Sequence, residues 1–228
     1  MPQPPATGCY RWTIIHTKAA TLPVAGRDGR LWITGSDGAV YSTMPSEQGG
    51  AVASLEWTRI DPPADRVAGK VALDHEGTVY LVAASSTTSG AGLFRLIGFS
   101  GSGQWEDMHM VLLGTTILPT IDEDDVLWVG CEWGQVARFQ SGQWSREILP
   151  LPYHLRHIWM TRAGHGWALA ETRSLNCLCY RDGREWHVVE EPAGSRGFLH
   201  LLFADENECF MQDGARHSKC RSLRSPRQ

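Results

Sequence analysis

Apolar residues occur along this chain in short runs that turn residues cut off before a helix could form. Leu31-Trp32-Ile33, Val79-Tyr80-Leu81, Val126-Leu127-Trp128-Val129 and Trp167-Ala168-Leu169 are each a few residues long and rich in β-branched and aromatic side chains. Such runs, bounded by Gly, Asp and Ser, read as strands. Asp28-Gly29, Ser36-Asp37-Gly38 and Glu76-Gly77 stand between them. Residues of this kind supply the positive φ that tight hairpins need. Residues 151–160 come nearest to a 3.6-residue period, but the proline break beside them at Pro150 makes the stretch read as a loop. The pattern predicts an all-β chain of many short strands.

Two marker series run through these strands. In the first, a Trp opens a short strand at Trp12, Trp57, Trp105, Trp144 and Trp186. In the second, an acidic or Gly turn precedes an aromatic strand residue, at Trp32, Tyr80, Trp128, Trp167 and Phe210. Both recur at intervals of roughly 40 to 48 residues, the length of one four-stranded propeller blade. In the first repeat the strands fall at residues 24–26, 31–34, 39–42 and 57–60. Five second-series aromatics predict a five-bladed β-propeller of four-stranded antiparallel blades. After Trp186 only three runs remain, at residues 198–203, 209–212 and 217–222. Trp12 to Ile15 precede the first inner strand, so this N-terminal strand is expected to complete the last blade and remove an open edge. Residues 1–228 are then a single domain with an ordered core of about 10–222. A Trp at one place in every blade packs between neighbouring sheets. Trp133 and Trp159 stand outside both series.

The Asp-Gly-x-Leu-Trp-x run of Asp28–Ile33, loosely repeated at Asp125–Val129, resembles the short repeats of bacterial regulator-type β-propellers. The repeat count and length are similar to those of small five-bladed propellers, the tachylectin type among them. The resemblance covers about residues 10–222. It implies a fold, and fold alone implies no activity.

Composition narrows the function classes. Ten Trp outnumber six Phe and five Tyr, which suits a repeated wedge. A net charge of −4 with dispersed basic residues disfavours nucleic acid. No apolar run is long enough for a membrane span, and residues 1–8 lack the basic start and apolar run of a signal peptide. Six Cys in a chain of this size do not make a disulfide scaffold. A soluble, monomeric, cytoplasmic protein with reduced thiols is expected. Residues 217–228 carry Lys219, Arg221, Arg224 and Arg227 and no acid, and read as a solvated, frayed tail.

The candidate chemistry is sparse. Asp122-Glu123-Asp124-Asp125 is the densest carboxylate cluster. It falls in a first-to-second-strand turn, opposite the usual propeller site, and reads as a solvated turn rather than a glycosidase pair. His154-x-x-His157 would hold a metal only on a helix and with a third ligand. Cys177-x-Cys179 puts two thiols on one strand face, as buried core residues. No phosphate loop or nucleophile elbow occurs, so no catalytic residue, metal or cofactor is expected. The recognition face carries the second-to-third-strand loops, with Glu132, Trp133 and Arg173, and the connections between blades, with Tyr153, His154, Arg156, His157 and Arg196. Aromatic and Arg side chains suit a protein hot spot. The expected function is a non-catalytic module that grips a protein partner through this face, an inhibitor or immunity-type protein being one form. The alternatives are a carbohydrate-binding lectin and a glycosidase-like enzyme with an axial carboxylate site. Against the lectin, residues 36–38 form a short loop and 84–92 a long one, whereas equivalent sugar pockets want equal loops.

Overall fold

A computed structural model describes residues 19, 21, 23–44, 56–88, 90–99, 103–110, 118–150, 154–171, 176–189, 200–203, 208–213 and 216–221, the last three segments as backbone only. These residues form five antiparallel meanders in chain order. The first sheet holds β1 (Val24–Ala25), β2 (Leu31–Thr34), β3 (Val40–Thr43) and β4 (Thr58–Ile60). The second holds β5 (Arg66–Leu73), β6 (Val79–Ser85), β7 (Ala91–Ile97) and β8 (Gln104–Asp107). The third holds β9 (Leu118–Ile121), β10 (Leu127–Gly130), β11 (Gln135–Gln140) and β12 (Gln143–Ile148). The fourth holds β13 (His154–Met160), β14 (His165–Glu171), β15 (Asn176–Asp182) and β16 (Trp186–Val189). The last has three strands, β17 (His200–Phe203), β18 (Glu208–Asp213) and β19 (Arg216–Arg221). Among the described residues no helix is long and apolar enough to cross a membrane.

One turn recurs between the first and second strands. Gly26, Asp74, Asp122 and Thr161 each donate a backbone N–H to the carbonyl four residues on, at 2.8, 3.2, 3.1 and 2.7 Å. In two sheets an Asp side chain completes the turn. Asp74 Oδ1 accepts the N–H groups of Glu76 and Thr78, and Oδ2 accepts the Tyr80 hydroxyl at 3.3 Å. Asp122 Oδ1 accepts the N–H groups of Asp124 and Val126, and Oδ2 accepts the Trp128 indole N–H, all at 2.9 Å. In the fourth sheet Thr161 occupies this place with its hydroxyl turned onto the His165 carbonyl, and the buried Trp167 Nε1 has no hydrogen-bond partner among the described residues. A buried donor left unsatisfied costs about 1–3 kcal/mol. Thr161→Asp is therefore expected to raise the unfolding free energy by about 1 kcal/mol in a denaturant titration. A loss of stability would show that the carboxylate does not serve Trp167.

In the first four sheets the aromatic of the second strand, Trp32, Tyr80, Trp128 or Trp167, is buried. Apolar clusters cross from sheet to sheet. Trp32 and Val40 pack with Val71 and Leu81, Tyr80 and Leu93 with Leu127 and Val129, and Trp128 and Val136 with Leu155, Met160 and Cys179. First strands lie beside one another, β1 against β5, β5 against β9 and β9 against β13. The outer-strand Trp residues reach back to the preceding sheet. Trp105 Nε1 donates to the Asp61 carbonyl at 2.8 Å, Trp144 Nε1 to the Met108 carbonyl at 2.9 Å, and Trp186 Nε1 to Glu147 Oε2 at 2.9 Å. The wedge role expected of these three residues is observed.

Three expectations are corrected. The stretch read as a loop at residues 151–160 contains the strand β13, because Pro150 ends the run before it without disturbing the residues that pair with β14. The basic segment from residue 217, expected both as a third run at 217–222 and as a frayed tail, begins with β19, paired along its length with β18, so the run stands and the frayed start does not. Asp122 is not solvated but buried at 3% exposure, since its carboxylate caps three donors. The Trp12 strand expected to complete the last sheet lies outside the described residues, as do Tyr153, Arg173 and Arg196.

Candidate functional site

A four-stranded meander sends its second-to-third-strand turns and its links to the next sheet to one end of the molecule. At that end Glu132-Trp133-Gly134 joins β10 to β11, and the Gln135 N–H closes onto the Glu132 carbonyl. Trp133 (φ 62°, ψ 25°) and Gly134 (φ 68°) are both left-handed, the conformation of a type I′ turn, which favours Asn and Gly. A bulky aromatic at positive φ is an outlier. The Trp133 side chain is also 56% exposed. Its ring lies 5.4 Å from the His154 imidazole at a 47° tilt, so the third and fourth sheets meet through these two rings. Beside the same turn, Ile148 ends β12 opposite Gln135 and is 64% exposed, and the Leu149 N–H fastens to the Gly134 carbonyl at 2.8 Å.

β13 carries a bulge. Leu155 pairs with Ala170 and His157 with Leu169, leaving Arg156 as the extra residue. Bulges re-aim side chains, and Arg156 is exposed and forms an ion pair with Glu171. That carboxylate holds the guanidinium above its usual range, through the hydrogen bond first and the charge second. β5 has the same irregularity at Gly69, between Ala68 and Lys70. The bulge thus belongs to the repeat, and the fourth sheet places an Arg where the second has a Gly. His154 and His157 are on a bulged strand, not in the inter-sheet connection expected for them and not on a helix, so the helical metal pair weighed from their spacing does not arise. Glu132, Trp133, His154, Arg156 and His157 come from one turn and one strand that the Trp133–His154 contact joins.

Cys177 and Cys179 are buried in the core shared by the third and fourth sheets. The Cys177 hydrogen bond, with burial second, pushes the Cys179 thiol far above its ordinary range. The one group of metal-ligating types that gathers among the described residues is Asp182, Glu185 and His187, all exposed. Asp182 is occupied as a turn cap. Its Oδ1 accepts the N–H groups of Arg184 and Glu185, and its Oδ2 faces His187 Nε2 at 3.0 Å. The Glu185 N–H leads in holding this carboxyl well below the usual range.

At the other end the acidic run ties three sheets together. Asp125 Oδ1 accepts the His75 N–H at 2.7 Å and faces His75 Nδ1 at 2.9 Å. Asp124 Oδ2 accepts the Ala163 N–H at 2.6 Å, and Glu123 pairs with Arg162 at 3.0 Å. With Asp122 capping its own turn, every carboxylate of the run has a structural partner. Sequence reasoning missed a cavity of about 620 Å³ at this end, between the first and second sheets. Two of its walls are turns far apart in the chain, each ordinary by itself.

No protein-family model and no curated protein matches this chain. Solved structures do. YCF48 bound to D1 peptide superposes with a TM-score of 0.56 at 18% identity, over 85% of this chain and 64% of that one. The extracellular domain of BT4673 from B. thetaiotaomicron superposes with a TM-score of 0.60 at 14% identity, over 93% of this chain and 28% of that one. YCF48 from Cyanidioschyzon merolae gives 0.55 at 13% identity, over 91% and 71%. The chain thus spans less than two thirds of the length of the first two. At these identities the likeness is one of fold. Together with the stacked meanders it defines the class: this chain is an all-β protein of β-propeller type.

Proposed function

We propose that this chain is a non-catalytic five-bladed propeller that grips a protein or peptide partner through the end bearing Trp133, His154, Arg156 and Ile148. The carrying observation is Trp133, a large aromatic left exposed in a left-handed turn conformation that disfavours it. Unfavourable backbone conformations held at surface turns collect at functional sites. An exposed Trp and Arg beside an exposed Ile are hot-spot chemistry. Five successive sheets, the last of three strands, support the blade count and the closing role of the N-terminal strand. The fold neighbour solved with a peptide supports the class of partner. Buried free thiols at Cys131 and Cys179 are in keeping with a reducing compartment such as the cytoplasm. An inhibitor or immunity-type protein remains one form of such a module.

The test is selection of a random peptide library on the protein, followed by binding measurements on Trp133→Gly and Arg156→Ala. Glycine removes the left-handed penalty, so Trp133→Gly is expected to raise stability by about 1 kcal/mol while weakening the selected peptides by roughly tenfold or more. Arg156→Ala is expected to weaken them with little effect on folding, because its ion pair is exposed. Undiminished affinity in both variants would reject this face.

A further inference from the structure

The cavity on the opposite end has a composition of its own. Its walls are the β1–β2 turn of the first sheet, the β5–β6 turn of the second and the end of β7 with the link after it. Leu73, Val79, Leu96, Trp32 and Phe99 give it apolar surface, beside polar surface of about equal extent from charged and turn residues. Phe99 stands edge-on to Trp32 with centroids 5.3 Å apart, and the Arg30 guanidinium lies 4.9 Å over the Phe99 ring. A volume of about 620 Å³ falls within the range of small-molecule sites.

The charges around it sort into answered and unanswered. Arg30 has Asp28 at 3.6 Å, and His75 has Asp125 at 2.9 Å. Arg27 and Glu76 also line the cavity. Among the described residues neither side chain makes an ion pair or hydrogen bond, with the other or with any third group. Arg27 comes from the first sheet and Glu76 from the second. One unanswered cation from the first sheet and one unanswered anion from the second thus line the same recess.

We propose that this recess is a second binding site, separate from the Trp133 face, for a small zwitterion with an apolar side chain: an apolar α-amino acid, free or as a short peptide. Arg27 receives the carboxylate, as guanidinium groups do in fork geometry. Glu76 receives the ammonium group, and the side chain covers Leu73, Val79 and Phe99.

Calorimetric titration of the full chain with phenylalanine, alanine, phenylalaninamide, N-acetylphenylalanine and the dipeptide glycyl-phenylalanine tests this. Phenylalanine is expected to saturate and alanine not to. Arg27→Ala is expected to weaken phenylalanine by roughly tenfold or more and to leave phenylalaninamide, which has no carboxylate, unchanged. Glu76→Gln is expected to weaken phenylalaninamide and to leave N-acetylphenylalanine, which has no ammonium, unchanged. Tighter binding of the dipeptide assigns the site to peptides, and tighter binding of phenylalanine assigns it to free amino acids. Trp133→Gly is expected to alter none of these constants, so either site can fail without the other. No saturation by phenylalanine or the dipeptide, or constants indifferent to both charge variants, would overturn the proposal. Arg27 and Glu76 are exposed, and unchanged thermal melts would separate lost binding from lost folding.

Discussion

Alanine in place of Glu147 is expected to lower the unfolding free energy by about 3–5 kcal/mol, the cost of stripping a buried charge of its partner. Arg181 is the charge in question. Its side chain is 4% exposed, and it makes two bonds to Glu147, at 2.9 and 2.7 Å. It also donates to the carbonyls of Gly164 and Arg184 and lies 5.0 Å from the Trp128 ring. Glu147 accepts the Trp186 indole as well, so its loss unsettles two groups that bind the third sheet to the fourth. Urea titration followed by tryptophan fluorescence measures the effect. A double variant, Glu147→Leu with Arg181→Met, is expected to recover much of the loss, because an apolar pair of similar volume leaves no unpaired charge. A single variant within about 1 kcal/mol of the parent would mean that Arg181 reaches water.

Asp122→Ala is expected to cost about 3 kcal/mol, from two buried donors and one part-buried donor released at once. Two are backbone N–H groups and the third is the indole of Trp128, a fully buried side chain. Asn at this position is expected to fall between Asp and Ala. Its amide keeps one acceptor oxygen, but its NH₂ must then face a donor. The order Asp, Asn, Ala in denaturation midpoint is the signature of the cap. If Asp122→Ala melts with the parent, the buried carboxylate does not organise this turn.

Much of the architecture was legible because the repeat writes the same residue types at the same places. The aromatics at Trp32, Tyr80, Trp128 and Trp167 mark second strands, and Trp105, Trp144 and Trp186 mark outer strands. Tryptophan is the one side chain large enough to span to the next sheet and still offer a donor at its far edge. β13 was misread for a local reason. Pro150 stands beside it, and the extra residue at Arg156 breaks the two-residue alternation by which a strand is recognised. The partners of the acidic run were hidden because they lie in other sheets, at His75 on one side and at Arg162 and Ala163 on the other. Trp133 stood out as an aromatic belonging to neither series. Its left-handed backbone did not, since no local sequence rule predicts a Trp there. Arg27 and Glu76 lie in turns distant in the chain, and only their shared place in one recess sets them apart.

The backward reach of the outer-strand tryptophans has a practical consequence. The indole protons of Trp105, Trp144 and Trp186 each sit at a different junction between neighbouring sheets. In a ¹H–¹⁵N spectrum their three resonances become independent gauges of local opening. The order in which they trade hydrogen for deuterium would reveal which junction parts first, and whether the sheets separate one at a time or together.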